Sequence, residues 1–433
     1  MPSRAPERQQ TTAGRLPLLA ILAAAFVSRA GNAITAIAVP LYVFADTGSA
    51  LATGTAGVFA TLPVVIGGSL GGALIDRLGY RVSSVVADLA SGVTVLALPI
   101  FAATTGLPFW LLLLLVFLSG LLDAPGDTAK TVMLPGLAER AGVPLARAAG
   151  AQAAVQRSAS MLGAALAGIL IGVLGAPGAL YVNAATFAVS AALVALLIPR
   201  MSPAAASADA PAPAPAGESA GGYWRDFAAG LRFLWSNALL RGIVLLVMVT
   251  NAIDTAGLTV LFPVYASERL GSASALGFMV ATFMGGALLG AVAFAAVGHR
   301  AAGRGLFVLF FVLAGVPPYL AMVLEAPYPV LLGILAFSGL AAGGINPMVS
   351  TALFGLVPET MRARVFGSMT AGVAAAMPLG AFLGGVGITT VGLLPTLAIA
   401  GSAYLVAALS PMFGRQWRGL SASPPRALVA RPE

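Results

Sequence analysis

Twelve apolar runs, each close to the length of a bilayer crossing, constrain this chain of 433 residues more than any other feature. They fall at roughly 16–44, 52–75, 82–104, 107–123, 148–174, 177–198, 239–267, 274–297, 305–324, 328–356, 365–389 and 393–413. A spanning helix needs about 20 apolar residues. Only 9% of the residues are charged and the mean hydropathy is +0.96, whereas a soluble domain carries about 25% charged residues. A chain this poor in polar groups cannot cover a water-facing surface. The expectation is an all-α membrane protein with twelve transmembrane helices. The first run follows Arg4, Arg8 and Arg15 in the manner of a signal peptide. It contains Arg29 and continues to Phe44, so it reads as a retained helix.

The basic residues orient the chain. With the N-terminus in the cytoplasm and twelve crossings, 20 of the 23 Lys and Arg residues, Lys130 among them, fall on the cytoplasmic side. Only Arg269 falls opposite, and Arg29 and Arg157 lie within spans. This is the positive-inside distribution. It places both termini in the cytoplasm and accounts for the net charge of +8 without a nucleic-acid partner. There is no cysteine and a single histidine, His299, which excludes disulfides, thiolate metal sites, a zinc site and a Ser-His-Asp triad. No phosphate-binding or dinucleotide motif is present, so no cofactor or metal is expected and an enzyme is the least favoured class.

Residues 201–222 are rich in Pro, Ala, Ser and Gly and read as a linker. They separate an N-terminal bundle of six helices, 1–200, from a C-terminal part, 223–433. The C-terminal part opens with Trp224, Phe227, Leu231 and Leu234 at helical spacing, a short amphipathic helix on the inner membrane surface. The halves repeat. Val39-Pro40-Leu41-Tyr42 followed by Gly48-Ser49-Ala50 recurs as Phe262-Pro263-Val264-Tyr265 followed by Gly271-Ser272-Ala273, at a constant offset of 223. Two six-helix halves in parallel repeat are a known transporter architecture.

Between the second and third runs stands Gly71-Gly72-Ala73-Leu74-Ile75-Asp76-Arg77-Leu78-Gly79-Tyr80-Arg81. Beyond this loop the chain carries Val85-Val86-Ala87-Asp88, Met133-Leu134-Pro135 with Glu139-Arg140-Ala141-Gly142, Gly230-Leu231-Arg232-Phe233, and Val357-Pro358-Glu359 with Arg364-Val365-Phe366-Gly367. Together these resemble the major facilitator superfamily, in its drug:proton antiporter branch of macrolide and siderophore exporters, and within it the actinobacterial Tap-type multidrug efflux pumps. The resemblance implies two pseudo-symmetric six-helix bundles, alternating access, and a cytoplasmic gate formed by Gly72, Asp76, Arg77, Gly79 and Arg81. In that gate Asp76 would bond the start of the eleventh helix near Val365, and Arg77 and Arg81 would meet carboxylates at helix ends. Three positions depart from the family pattern. Gly31-Asn32 stands where Gly-Asp is frequent, Asn183 where an aspartate is frequent, and Gly163-Ala164 where Gly-Pro is usual.

An ionisable group within a span is costly and is therefore a functional candidate. At ~1.5 Å rise per residue, Arg29 lies about 21 Å beyond Arg15, and Asp254 about 20 Å beyond Arg241, both near mid-membrane. Arg157 is close to the midplane and Asp88 nearer the cytoplasm. Asp254 is expected to be the proton-titrating or cation-binding carboxylate, with Arg29 or Arg157 as partner and Asp88 a lesser candidate. Asp88 would otherwise bond Arg81. Asp123 and Asp127 flank Pro125 at the end of the fourth run and read as a solvated turn. Asn32, Gln152, Gln156, Asn251 and Asn346 are the polar candidates for a substrate cavity, each equally able to bond a neighbouring helix. Glycine pairs four residues apart, Gly68/Gly72, Gly286/Gly290, Gly339/Gly343 and Gly380/Gly384, mark helix-packing faces. The functional expectation is a monomeric exporter of small amphipathic molecules in the bacterial cytoplasmic membrane, exchanging them for protons across the lipid bilayer. The alternative is an exporter of one natural product, siderophore or lysolipid without proton coupling.

Overall fold

The apolar runs form helices, and glycines mark many of their ends. The structure, a computed structural model, describes residues 12–199, 220–297, 303–358, 361–414 and 416–417, excepting the side chains of 12–14, 67–77, 220–227, 297 and 363. The elements are α1 (Thr12–Thr47), α2 (Ala50–Leu78), α3 (Tyr80–Thr104), α4 (Phe109–Arg140), α5 (Leu145–Leu197), α6 (Ala220–Ser236) and α7 (Ala238–Ala256). A π-helical turn, Gly257–Leu261, joins α7 to α8 (Phe262–Glu268). Then come α9 (Ala273–Val297), α10 (Arg304–Val323), α11 (Tyr328–Leu356), α12 (Arg362–Val391) and α13 (Leu393–Phe413). No strand occurs among the described residues.

Ten segments among the described residues are long and apolar enough to cross a membrane by length and composition. One of them, α5, covers two of the expected runs. Its two limbs meet at Gly175, whose φ of 73° and ψ of 170° break the helix two residues before Pro177. Few residues other than glycine adopt that φ at low cost. The sequence repeat has a backbone counterpart. Gly48, after α1, has φ 60° and Gly271, after α8, has φ 59°, so the offset of 223 relates the turns as well as the letters. Large apolar side chains such as Val173, Leu196, Val406 and Phe413 stand exposed, which suits a lipid-facing surface and would be a liability in water.

The chain divides into two compact units, Met1–Val39 with Phe59–Ala214, and Pro40–Val58 with Pro215–Glu433. In the first unit, Leu18, Ile21, Met133, Leu137, Val194 and Ile198 form an apolar core where α1, α4 and the end of α5 meet. In the second, Leu240, Ile243, Tyr265, Phe307, Phe311 and Trp417 belong to a larger core. The glycine pairs act as packing faces. A Cβ at Gly286 or Gly290 would run into the carbonyl oxygens of Ala336 or Leu340, and one at Gly339 or Gly343 into those of Phe283 or Ala287. Thus α9 and α11 touch backbone to backbone, the close approach that small residues permit in lipid. Gly380 likewise faces the carbonyl of Ala252, bringing α12 onto α7. The Gly68/Gly72 pair lies in α2, and what it packs against is outside the described residues.

Two expectations change in detail. α6 is helical as expected, but it does not merely rest on a membrane surface. Gly230 lies against the Arg364 carbonyl and the Ser368 hydroxyl of α12, and Leu234 is buried, while Leu231 and Trp235 remain exposed. The side chains of Trp224 and Phe227 lie outside the described residues, as do the 201–219 part of the linker and His299. The second change concerns the fourth run, which does not end at Asp123. α4 continues through Pro125 and Pro135 to Arg140, and Asp123, Asp127 and Lys130 along it take partners on neighbouring helices.

Candidate functional site

That continuation of α4 carries Asp123, Asp127 and Lys130 at spacings of four and three, which place them on one helix face. Each has a partner. The Arg29 guanidinium on α1 meets Asp127 Oδ2 at 2.6 Å. The Asn32 amide, one turn further along α1, donates to Asp123 Oδ2 at 2.8 Å. Lys130 Nζ meets Asp88 Oδ1 on α3 at 2.8 Å, and the Ser190 hydroxyl on α5 donates to the other oxygen of Asp88 at 2.7 Å. The Asp88 and Lys130 side chains are 0% and 2% exposed. Asp123 and Asp127 are therefore not a solvated turn. Lys130 is a buried cation, not a cytoplasmic-loop charge, and Asp88 takes Lys130 and Ser190 as partners, with no bond to Arg81. Arg29 is held by Asp127 within its own unit. Asn183, also on α5, donates to Thr35 Oγ1 of α1 at 2.5 Å.

Asp254 sits on α7, three residues before the π turn. It has no hydrogen bond or ion pair among the described residues, and its side chain is exposed to an apolar cavity of about 210 Å³. Phe262, Met279, Phe283, Met284 and Tyr319 line that cavity, with Pro318 from within α10. The π turn shapes this wall. It widens the helix by one residue, so that the Phe262 N–H reaches back to the Gly257 carbonyl. Tyr319 donates to the Ile253 carbonyl at 3.0 Å and packs against Phe262 with ring centroids 5.7 Å apart. A side chain at Gly257 would meet the Tyr319 hydroxyl. Single π turns of this kind recur at functional sites. A lone carboxylate facing aromatic and thioether surfaces can accept an amphipathic cation: the rings and Met side chains take the apolar part and the carboxylate the charge.

The remaining expected residues are distributed as follows. Arg157 on α5 is half-buried and has no hydrogen bond or ion pair among the described residues. Gln152 donates to Thr131 Oγ1 at 3.1 Å, and Asn251 donates to the Val247 carbonyl of its own helix at 2.8 Å. Asn346 on α11 is exposed and Gln156 on α5 half-buried. Within the gate motif, α2 ends at Leu78, and Gly79 makes the turn with φ 78°. The side chains of Asp76 and Arg77, and the surroundings of Gly72, lie outside the described residues. Arg81 is clear: its guanidinium donates to the carbonyls of Val194 and Ala195, in the last turn of α5, and not to a carboxylate. The Val194 carbonyl also accepts from the Ile198 N–H, and both carbonyls sit at the negative end of the helix dipole.

Both the repeat of α1 and α8 and the polar cluster on membrane-depth helices belong to a transporter architecture, and comparison with known proteins identifies it. The Major Facilitator Superfamily model matches over residues 21–271 and again over 244–432, so the chain belongs to that superfamily and is a multi-pass membrane protein. It is similar to the multidrug efflux pump Tap of Mycolicibacterium fortuitum, with 31% identity over 378 residues, 87% of this chain and 90% of the relative. It is also similar to the multidrug efflux pump Tap of Mycobacterium tuberculosis strain H37Rv, with 30% identity over 377 residues, 86% and 87% of the two chains. Among solved structures, the nucleoside transporter NupG matches with a TM-score of 0.73 at 14% identity, over 90% of this chain and 97% of that one. A D-xylose-proton symporter matches with a TM-score of 0.68 at 14% identity, over 94% and 99%. At that identity the solved structures speak for the fold alone.

Proposed function

We propose that this chain is a secondary drug exporter of the bacterial cytoplasmic membrane. It moves small amphipathic molecules outward by alternating access, in exchange for protons. The observation that carries the reading is the cavity at Asp254, an apolar, aromatic and Met-lined space with one unpaired carboxylate, in a chain 31% identical to a multidrug efflux pump. Asp254 takes the cationic group of the substrate, and Phe262, Phe283 and Met284 take its apolar body. Transport, not catalysis, is the activity, and the protein works as a monomer.

The division into an N-terminal bundle (1–200), a linker (201–222) and a C-terminal part (223–433) fits this reading. So does a count of twelve spans with both termini cytoplasmic, since α5 bends at Gly175 and α2 contributes the shorter apolar stretch Ala50–Ile66. The 71–81 turn acts as the gate on the cytoplasmic side. The anchoring of Arg81 to the end of α5 gives that turn a fixed base. Arg157 on α5 remains a candidate cavity cation, with Gln156 and Asn346 as polar contacts for substrate.

The test is drug accumulation in an efflux-deficient bacterial host. Cells expressing the chain should accumulate less of a cationic amphipathic drug than cells with empty vector. Asp254→Asn should abolish that difference for cationic drugs and leave it for neutral ones. Equal accumulation with and without the wild-type chain overturns the proposal.

A further inference from the structure

We infer that Asp123 is the proton-carrying group of this transporter, and that the cluster on α1, α3, α4 and α5 is built to hold one exchangeable proton there. The inference starts from charge. Two cations, Arg29 and Lys130, face three carboxylates, Asp88, Asp123 and Asp127. Fully ionised, the cluster is one negative charge out of balance in a setting where uncompensated charge is expensive. A single proton neutralises it.

The hydrogen bonds say which carboxylate takes the proton. Asp88 is fully engaged, with Lys130 on one oxygen and Ser190 on the other. Asp127 holds the Arg29 guanidinium. Among the described residues Asp123 has no ion pair: its donor there is the neutral Asn32 amide on Oδ2, and its Oδ1 is a buried oxygen with no hydrogen-bond partner among them. A buried acceptor left without a donor is costly, and such cases in native proteins call for an explanation. Forming an O–H bond at Oδ1 removes the excess negative charge and turns a buried anionic oxygen into part of a neutral group, which is less costly to bury. The proton comes from water on one side of the membrane and is returned to water on the other, and no other bond changes.

The surroundings suit this role. Facing Asp123 are Asn32 from α1, Asp88 from α3, and Asp127 and Lys130 from α4 itself; α5 reaches the cluster through Ser190. On α1 and α3, two further fully buried hydroxyls, Ser28 and Ser84, have no partner among the described residues. Ser28 adjoins Arg29 on α1, and Ser84 is one turn from Asp88 on α3, so unsatisfied oxygens are found on three helices of the cluster. Gly126, between Asp123 and Asp127, lets α4 approach α3 closely, with Ala87 and Asp88 against it. Protonation removes the charge that competes with Asp88 for Lys130 and repels Asp127, the partner of Arg29. The state of Asp123 is thereby communicated to α1 and α3.

The inference rests on the export reading for the direction of proton flow, but its test does not depend on transport. Purified full-length protein in nanodiscs is titrated with pH while the infrared band of protonated carboxyl groups is followed. One band that disappears on raising pH should be lost in Asp123→Asn, retained in Asp254→Asn, and moved to lower pH in Asp127→Asn, which removes the excess negative charge by another route. In Asp123→Glu a titrating band should return at a displaced frequency, which also guards against a folding defect in Asp123→Asn. Asn32→Leu, which removes the amide donor on Oδ2, should move the midpoint of the band. Survival of every titrating band in a folded Asp123→Asn protein overturns the inference. If the band behaves as described but cells show no export, it is the export reading that fails, not the proton site.

Discussion

The pair Asp88–Lys130 offers the sharpest quantitative test of how the first unit is held together. Both side chains are essentially without solvent contact, and their partners lie 42 residues apart in sequence, on α3 and α4. Replacing Lys130 with Met keeps the length and apolar bulk of the side chain and removes the charge, leaving Asp88 buried with only Ser190 as donor. Removing one partner of a buried pair costs about 3–5 kcal/mol, or roughly two to three and a half decades in the folding equilibrium. Ser190→Ala removes one hydrogen bond to a charged group and costs about 1.5–3 kcal/mol, so it should be the milder change. The double variant Asp88→Asn with Lys130→Met leaves no uncompensated charge and should recover most of the loss. The assay is thermal unfolding of the purified full chain in detergent, with wild type, Asp88→Asn, Lys130→Met and their double variant forming a double-mutant cycle. A Lys130→Met protein that unfolds at the wild-type Tm, or a cycle without coupling, would refute the reasoning.

Other outcomes follow from close packing and from single bonds. Gly290→Leu places a side chain where the Leu340 carbonyl sits; it should separate α9 from α11 at a cost of about 1–3 kcal/mol or more, read as a fall in Tm and in folded yield. Arg81→Gln removes the guanidinium from the carbonyls of Val194 and Ala195 and should lower Tm by an amount corresponding to about 1.5–3 kcal/mol. Arg81→Lys should restore only part of this, because an ammonium cannot span two carbonyls as a planar fork does. In equilibrium binding with the purified protein, Asp254→Asn should weaken a cationic drug by about tenfold or more, the value of one charge-assisted contact, and change a neutral drug little. Equal weakening of both classes would remove Asp254 from the role of charge acceptor.

Much of this fold was legible in sequence because the solvent imposes it. The apolar runs became helices, and the glycine pairs on α9 and α11 became the crossing they announced, since only small residues let two backbones touch. Asp254 stood out as a charge in an apolar run, and it proved to face a cavity. The cavity itself was not legible: its wall combines α7 to α11 and depends on a π turn that no local pattern signals.

The cluster around α4 shows the opposite failure. Two aspartates flanking a proline satisfy every local rule for a turn. They are helical because Arg29 and Asn32, 98 and 91 residues away, supply their partners. The spacing of Asp123, Asp127 and Lys130 at four and three was the available signal, and it points to one helix face as soon as the proline is not taken as a stop. Asn32 stands in the first helix where the family pattern frequently has an aspartate. Its amide donates to Asp123, so a carboxylate stands across the α1–α4 contact from the position where one was missed.

The central claim is export driven by a proton gradient, and purified protein in sealed liposomes tests it directly. With a cationic drug at equal concentration on both sides, a pH gradient alone should drive the drug uphill, against the direction of proton flow, and a protonophore should collapse the accumulation. Flux that only equilibrates the drug, unaffected by the gradient or the protonophore, would contradict the account.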